Sequence, residues 1–375
     1  MSENIVIAGA GVIGLTIAHQ LLLEVQEKKQ RPPKQLCIIA RNFPKDEPLT
    51  PEYTSPWAGA HYRPFPHRQE AFESDKRESA YTRVTHKFFE RFALEHPEST
   101  IEFVKGIDFL EEPSDQYLNL GDGYSKESLI DFKTLSKDVL PNGVRLGCEY
   151  TTWCLNAPVY LRFLQLQIEQ LCRRLEIPLK LERITLDSLQ EITSLLPNVT
   201  TIFNATGTGL QYHGGIDSAV SKIRGQTVLL NVPNPNTIKY SKLTVTHQGK
   251  DGSWTFVIKR PAINGTAQYI LGGTKQPGDT RVTPRESDTL ALLEKARILY
   301  PDLMFPDGSF DIVRTNVGFR PARTGGSRLE TQQEITQHGN LKIVHAYGLG
   351  GMGYETSVGV AKHSLKLFQA KTSKL

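Results

Sequence analysis

Six residues near the start of the chain, Gly9-Ala10-Gly11-Val12-Ile13-Gly14, are spaced as GxGxxG, a spacing suited to holding a pyrophosphate. Gly9 permits a tight turn, Gly11 lets backbone approach the phosphates, and Gly14 allows a helix to lie close on the preceding strand. The N-terminus of that helix adds N–H donors and the positive end of a dipole. A second glycine cluster stands near the other end, His345-Ala346-Tyr347-Gly348-Leu349-Gly350-Gly351-Met352-Gly353. It brings further backbone N–H groups and another helix N-terminus to an anionic group. The N1/C2=O edge of a flavin, which gains negative charge on reduction, suits that place, so the second cluster favours a flavin dinucleotide over a nicotinamide one. One pair departs from the usual pattern. Where Asp or Glu usually meets the adenosine ribose, the chain has Arg41-Asn42. Arg41 suits either the 2′-phosphate of NADP or the adenosine and pyrophosphate of FAD.

Such turns need strands and helices to hold them. Asn4 to Ala8 reads as a short buried strand, and Val12 to Val25 as a helix with Ile13, Ile17, Leu21 and Val25 on one face. Leu36 to Ala40 is a second strand, which completes a β-turn-α-β unit. Arg77 to Leu94 and Val159 to Leu175 have helical spacing. Thr200 to Ala205 reads as another buried strand ending in Thr206-Gly207. Lys342 to Ala346 leads into the second glycine turn and a last helix to about Gln369. Between these, Gln226–Asn231, Trp254–Lys259 and Tyr269–Gly272 are strand-like runs separated by turn residues. The expected fold is α/β. A discontinuous Rossmann-like, FAD-binding domain spans 1–80, 140–220 and 315–375, and a mostly antiparallel-sheet substrate domain spans 81–139 and 221–314.

The bulk properties remove other classes. A chain of 375 residues, 39% hydrophobic and 22% charged, has the composition of a globular protein with room for two interlocking domains. Its net charge of +4 is mild, and no Lys/Arg-rich run is interleaved with aromatics, which argues against nucleic acid as a partner. No apolar run is long enough to span a bilayer. Cys37, Cys148, Cys154 and Cys172 form no CxxC pair and have no HxxxH nearby. They read as reduced, half-buried thiols, and no metal is expected. Ser373-Lys374-Leu375 matches the address recognised by the peroxisomal import receptor at a free C-terminus. The sequence leaves a homo-oligomeric state open.

Four segments together carry a family resemblance. Ser55-Pro56-Trp57-Ala58-Gly59-Ala60 resembles the flavin-contacting loop of fungal D-amino acid oxidases. Ile223-Arg224-Gly225-Gln226-Thr227-Val228 is similar to that family's strand entering the substrate domain. Asn316-Val317-Gly318-Phe319-Arg320-Pro321-Ala322-Arg323 resembles its substrate-arginine motif, and Val344-His345-Ala346-Tyr347-Gly348 its C-terminal flavin turn. They occur in family order over nearly the whole chain, which on this ground resembles the D-amino acid oxidase and D-aspartate oxidase family. The resemblance implies FAD as cofactor, a D-amino acid and oxygen as reactants, and the peroxisomal matrix as a fitting location. The Cα hydride of a substrate with a neutral amine passes to flavin N5. The imino acid hydrolyses to a 2-oxo acid and ammonia, and reoxidation by oxygen gives hydrogen peroxide. No protein acid or base is needed for the hydride step, so the protein positions the reactants.

The resemblance also assigns residues. Arg320 is implied as a bidentate clamp on the substrate α-carboxylate. His61, Phe256, Lys275 and Gly351 are implied around the substrate. Besides the GxGxxG residues, Arg41 and Asn42, cofactor contacts are implied at Ser55, Trp57, Ala58, Gly59, Ala60, Arg183, Thr206, Gly207, Arg320, Gly348, Gly350, Gly351, Met352, Gly353, Tyr354 and Glu355. Two positions depart from the family. Phe256 stands where a tyrosine hydroxyl would help hold the carboxylate. Glu355 stands where Gln or Thr is common, and its carboxylate is unfavourable beside a reduced flavin unless protonated, paired or turned away. Lys275, in Leu271-Gly272-Gly273-Thr274-Lys275-Gln276-Pro277-Gly278-Asp279, stands where D-aspartate oxidases resembling this chain have Arg. Lysine there suits a side-chain carboxylate, with protonated His61 assisting. Acidic D-amino acids are thus the expected substrates. The alternative is an oxidase of broad neutral specificity, with Lys275 in solvent.

Overall fold

The computed structural model describes residues 3–196, 198–263 and 265–370, so Ser373-Lys374-Leu375 lies outside the described residues. Among them, six strands form one sheet. Its centre is β1 (Asn4–Ala8), parallel to β2 (Gln35–Ala40) on one side and to β7 (Thr201–Asn204) on the other. The parallel strands β6 (Leu179–Arg183) and β15 (Gly339–Tyr347) extend it, and β14 (Arg328–Thr336) closes an edge in antiparallel fashion. The sheet is buried on both faces. Ile5 and Ile7 of β1 enter one core with Leu36 and Ile38 of β2, while Val6 and Ala8 enter a second core with Cys37 and Ile39. An all-apolar run is what a two-faced parallel strand requires.

The first core holds α1 (Val12–Gln26), α4 (Ala157–Arg174) and α7 (Gly353–Gln369). The expected face of α1, Ile13, Ile17, Leu21 and Val25, is buried, but so are Thr16, His19 and Gln20. This helix is enclosed by the sheet, α4 and α7, so it is covered on nearly all sides. Against α7 lies α2 (Phe72–Glu95), which therefore stands with the first sheet although its residues from 81 on were expected in the other domain.

The second sheet is nine-stranded and mostly antiparallel, as expected. It comprises β3 (Glu102–Leu110), β4 (Lys133–Thr134), β5 (Leu146–Cys154), β8 (Val220–Asn231), β9 (Leu243–Gln248), β10 (Trp254–Arg260), β11 (Gln268–Gly272), β12 (Gln276–Pro277) and β13 (Asp311–Arg323). The pairing of β3 with β9 is parallel. A helix of the second unit, α6 (Glu286–Leu299), covers its core through Leu292 and Ala296. Thus β5 and most of β13, within segments expected in the nucleotide domain, belong by pairing to the substrate sheet. Neither strand alternates polar and apolar residues along its length, and the partners that place them there are remote in sequence.

Where α2 and α7 touch, a glycine sets the distance. A Cβ added at Gly359 would stand 2.4 Å from Tyr81 Cα, which is backbone and has no rotamer escape. Gly359→Ala should therefore destabilise the protein by about 1–3 kcal/mol. The expected readout is a lower midpoint in thermal or urea unfolding; an unchanged midpoint would show that the helices separate freely.

Candidate functional site

One continuous cavity of about 2080 Å³ runs between the two sheets. It opens at the C-terminal ends of β1, β2, β7 and β15, where a doubly wound sheet presents its ligand crevice. Gly9 has φ +109°, and a Cβ there would lie 2.4 Å from the Ala205 carbonyl oxygen. A Cβ at Gly14 would lie 2.0 Å from the Gly9 carbonyl oxygen, so only glycine lets α1 approach its own turn this closely. Gly9 through Ile13 line the cavity, as do Arg41, Asn42, Thr206 and Gly207. Gly14, also among the implied cofactor contacts, does not; it acts through packing, because its close approach to the Gly9 carbonyl turns it away from the cavity.

The second glycine turn faces the first across the cavity. Gly348 and Gly350 have φ of +80° and +57°, and Gly348 to Glu355 all line the space. Amide contacts hold this turn to both sheets: Gly348 N donates to Gly207 O at 3.2 Å and Gly350 N to Pro321 O at 2.8 Å. The N-termini of α1 and α7 therefore converge on one cavity, giving two positive dipole ends for an anionic ligand. The loop from Tyr53 to His61 fills the side between them. Tyr53 Oη donates to Ala10 O at 2.7 Å, Val12 N to Ser55 Oγ at 3.0 Å, and Tyr354 Oη to Ser55 O at 2.9 Å. Ser55, Trp57, Ala58, Gly59 and Ala60 all line the cavity. This cradle fits an extended dinucleotide: bare glycine backbone lines it, and two helix ends point into it.

Arg320 sits on β13 at the inner wall. Its guanidinium lies over Gly225 of β8, where a Cβ would meet Nη1 at 2.5 Å. Nη1 donates to Thr274 O at 3.2 Å, and no carboxylate pairs with Arg320 among the described residues. Burial lowers its pKa from the usual arginine value, which marks it as a cation short of an anion. A fork of N–H donors in that state is built to take a carboxylate from outside the protein.

Around Arg320 the expected pocket residues separate into different environments. Phe256 lies on β10 with its ring against Gly272 and Gly273, and His61 lies against it with ring centroids 6.3 Å apart. His61 Nε2 is buried and has no partner. Burial first, and then the nearby Arg63 charge, lowers the His61 pKa to about 3. His61 is thus neutral in the protein, which corrects the expectation of a protonated assistant. Lys275 lines the cavity at its mouth and is exposed. Gly351 lines it beside the Arg320 side chain. Arg183 is not brought to the site. It makes bonds of 2.5 and 2.6 Å to Asp46 and does not line the cavity, so its implied cofactor contact is replaced by a surface ion pair.

Glu355 is buried at the first turn of α7, and its Oε2 accepts a 3.2 Å bond from Arg63 N. Burial raises its pKa to about 8, against the pull of that bond and of the Arg63 charge. It is therefore mainly protonated at neutral pH, the first of the three ways in which a carboxyl is tolerated there. Arg63 itself, with Trp254, was missed in the sequence. Arg63 lines the cavity, stands 3.3 Å from Asp108 and stacks on Trp254 at 3.8 Å. Only its place two residues after His61 hinted at it. The four cysteines are buried and free, and no group of three His, Cys, Asp or Glu is placed to hold a metal among the described residues. No helix is long and apolar enough to cross a membrane among those residues.

Comparison with known proteins agrees with this geometry. Residues 4–367 match the model of the DAO family, described as FAD dependent oxidoreductase. A D-aspartate oxidase of Talaromyces thermophilus is 37% identical over 99% of this chain and 96% of its own length. A D-amino-acid oxidase of Schizosaccharomyces pombe is 31% identical over 97% of this chain and 96% of its own. The glycine oxidase structure from Geobacillus kaustophilus has a TM-score of 0.66 with 14% identity, over 99% of this chain and 96% of that one, a likeness of fold.

The state of Glu355 has a measurable consequence. A carboxyl whose folded pKa is raised to about 8 leaves stability unaffected below its unfolded value of 4.5. Above that value the unfolded chain ionises more readily, and stability falls until the folded pKa is passed. The apoprotein should thus lose about 1.4 kcal/mol per pH unit at most from this group between those limits. Glu355→Gln should flatten that part of a urea-unfolding pH profile; parallel profiles would show that Glu355 is already ionised.

Proposed function

The chain belongs to the DAO family of FAD-dependent oxidoreductases, and on that premise we propose that it oxidises D-amino acids, acidic ones preferentially. Substrate, oxygen and water yield a 2-oxo acid, ammonia and hydrogen peroxide. When bound, FAD takes up the Cα hydride and passes two electrons to oxygen.

The observation that carries this reading is the half-buried Arg320 guanidinium, left without a carboxylate among the described residues. It holds the substrate α-carboxylate and so fixes which face of Cα is presented. Phe256 lacks a hydroxyl, so Arg320 takes the larger share of that task. Trp254 and Phe256 form an apolar wall that excludes water from the reacting carbon. His61 offers an unclaimed ring nitrogen to the substrate without adding charge. An acidic substrate is supported by three of the cations lining the cavity, Arg320, Arg63 and Lys275, and by the likeness to a D-aspartate oxidase. The apolar wall and the neutral His61 favour a second reading, neutral D-amino acids. Peroxisomal import through Ser373-Lys374-Leu375 belongs to the same proposal, supported by a peroxide-forming reaction. Removing that tripeptide should turn a punctate fluorescent fusion diffuse, and an unchanged pattern would rule out the address.

Anaerobic mixing of the flavoprotein with D-aspartate or D-alanine tests the chemistry through flavin absorbance. Faster bleaching by D-aspartate is expected; bleaching by D-alanine alone supports the second reading, and none by either defeats the proposal. Arg320→Leu should retain flavin but lower kcat/KM by roughly 100-fold or more. A loss of less than about threefold would remove Arg320 from substrate binding.

A further inference from the structure

Arg320, Arg63 and Lys275 are among the cations that line the cavity, and they differ in how firmly they are held. Lys275 is exposed and makes no ion pair among the described residues. A charge in that position attracts an anion only weakly, because water screens it and a flexible stem must be ordered. Arg63 is held on several sides. Its guanidinium stacks on Trp254 at 3.8 Å, Nε donates to Asp108 Oδ1 at 3.3 Å, and Nη2 donates to Tyr117 Oη at 3.2 Å. Its backbone N is also tied, to Glu355. Yet 19% of the side chain remains exposed where it lines the cavity, and Nη1 has no protein partner among the described residues. Asp108 does not saturate it, because the same carboxylate also accepts from Tyr124 Oη at 2.8 Å and Tyr150 Oη at 3.3 Å.

The strand β10 relates Arg63 to Arg320. Trp254 and Phe256 are two residues apart and share one face of that strand, about 7 Å from each other. Arg63 covers the Trp254 ring, while the Phe256 ring abuts Gly272 and Gly273, next to the Thr274 carbonyl that receives Arg320. Two guanidiniums thus flank one aromatic wall. Arg320 has no carboxylate partner among the described residues, and Arg63 has one long bond to its own.

We infer that Arg63 is the specificity-determining residue that receives the side-chain carboxylate of a dicarboxylic D-amino acid, while Arg320 holds the α-carboxylate. This rests on the proposed oxidation of D-amino acids for its substrate class. A guanidinium already fixed by stacking and by Asp108 loses little freedom when a carboxylate docks, unlike a solvated lysine. Lys275 then attracts the substrate at the mouth, and Arg63 selects it inside. The neighbouring Glu355, protonated at neutral pH, adds no opposing charge.

The test is binding to the oxidised holoenzyme of two acids that lack an amine and cannot be oxidised, succinate and propionate, followed by perturbation of the flavin spectrum. Wild type should bind succinate at least about tenfold more tightly than propionate. Arg63→Gln should raise the succinate Kd by roughly 30-fold and leave that of propionate within about threefold. Removing Arg63 alone strands Asp108 in the interior. The double variant Arg63→Gln/Asp108→Asn removes both charges and should show the same selective loss. Lys275→Ala should change the ratio by less than about threefold. The inference is overturned if Arg63 variants weaken both acids alike or neither, if Lys275→Ala abolishes the preference, or if wild type shows none. Bleaching by D-alanine reports separately on the oxidation itself, so failure of one does not imply failure of the other.

Discussion

A guanidinium buried without a carboxylate is a liability for a folded chain, since removing a charge from water is repaid only by a partner. Arg320, half-buried and without a carboxylate among the described residues, approaches that position, and much of the surrounding structure serves to hold it there. The strand β13 carries it across the inner wall, Gly225 on β8 leaves room for it, and the Thr274 carbonyl takes one of its N–H groups. The segment bearing Thr274 is anchored in turn by the fully buried Arg224, which bonds Gln276 and Gln226 at 2.6 and 2.8 Å. On the function proposed above, the missing anion is the substrate α-carboxylate. A site built to be incomplete binds the ligand that completes it.

The cofactor cradle rests on a steric constraint, not on charge. Two glycine turns, from opposite ends of the chain, must present bare backbone to one ligand, and neither tolerates a Cβ at its tightest point. The Cβ clash of 2.0 Å at Gly14 shows how closely α1 is drawn to its turn. Because α1 is then enclosed by α4, α7 and the sheet, its polar residues Thr16, His19 and Gln20 are buried as well. Thr16 returns its hydroxyl to Val12 O, and burial lowers the His19 pKa to about 4, which keeps it neutral. The close approach that opens the ligand site therefore also fixes the chemistry of the core behind it.

Between cradle and clamp lies a polar cluster of Arg63, Asp108, Glu355 and three tyrosines. Its members balance one another: Asp108 accepts from Arg63 and two tyrosines, and Glu355 stays protonated while accepting an amide. With only Arg63 Nη1 left without a protein partner among the described residues, the network is rigid, because each bond lost would leave a buried polar group stranded. That rigidity suits a reaction in which the protein supplies position more than proton transfer.

The sequence alone determined the β-turn-α-β opening, the last strand and helix, and the two glycine turns, because these depend on backbone conformation among neighbouring residues. The motif around Arg320 was legible through its resemblance to a family segment. Charge states and partners were not. His61 is neutral because of its burial and Arg63, and Lys275 is exposed where β11 leaves the sheet. Arg183 turns to Asp46, 137 residues away in sequence, and Arg63 meets Asp108, 45 residues away. The strands β5 and β13 likewise join the second sheet through remote partners. Local spacing limits what a turn or strand is able to do; desolvation and ion pairing depend on what the folded chain brings alongside, so only the tertiary structure decided which cations line the cavity.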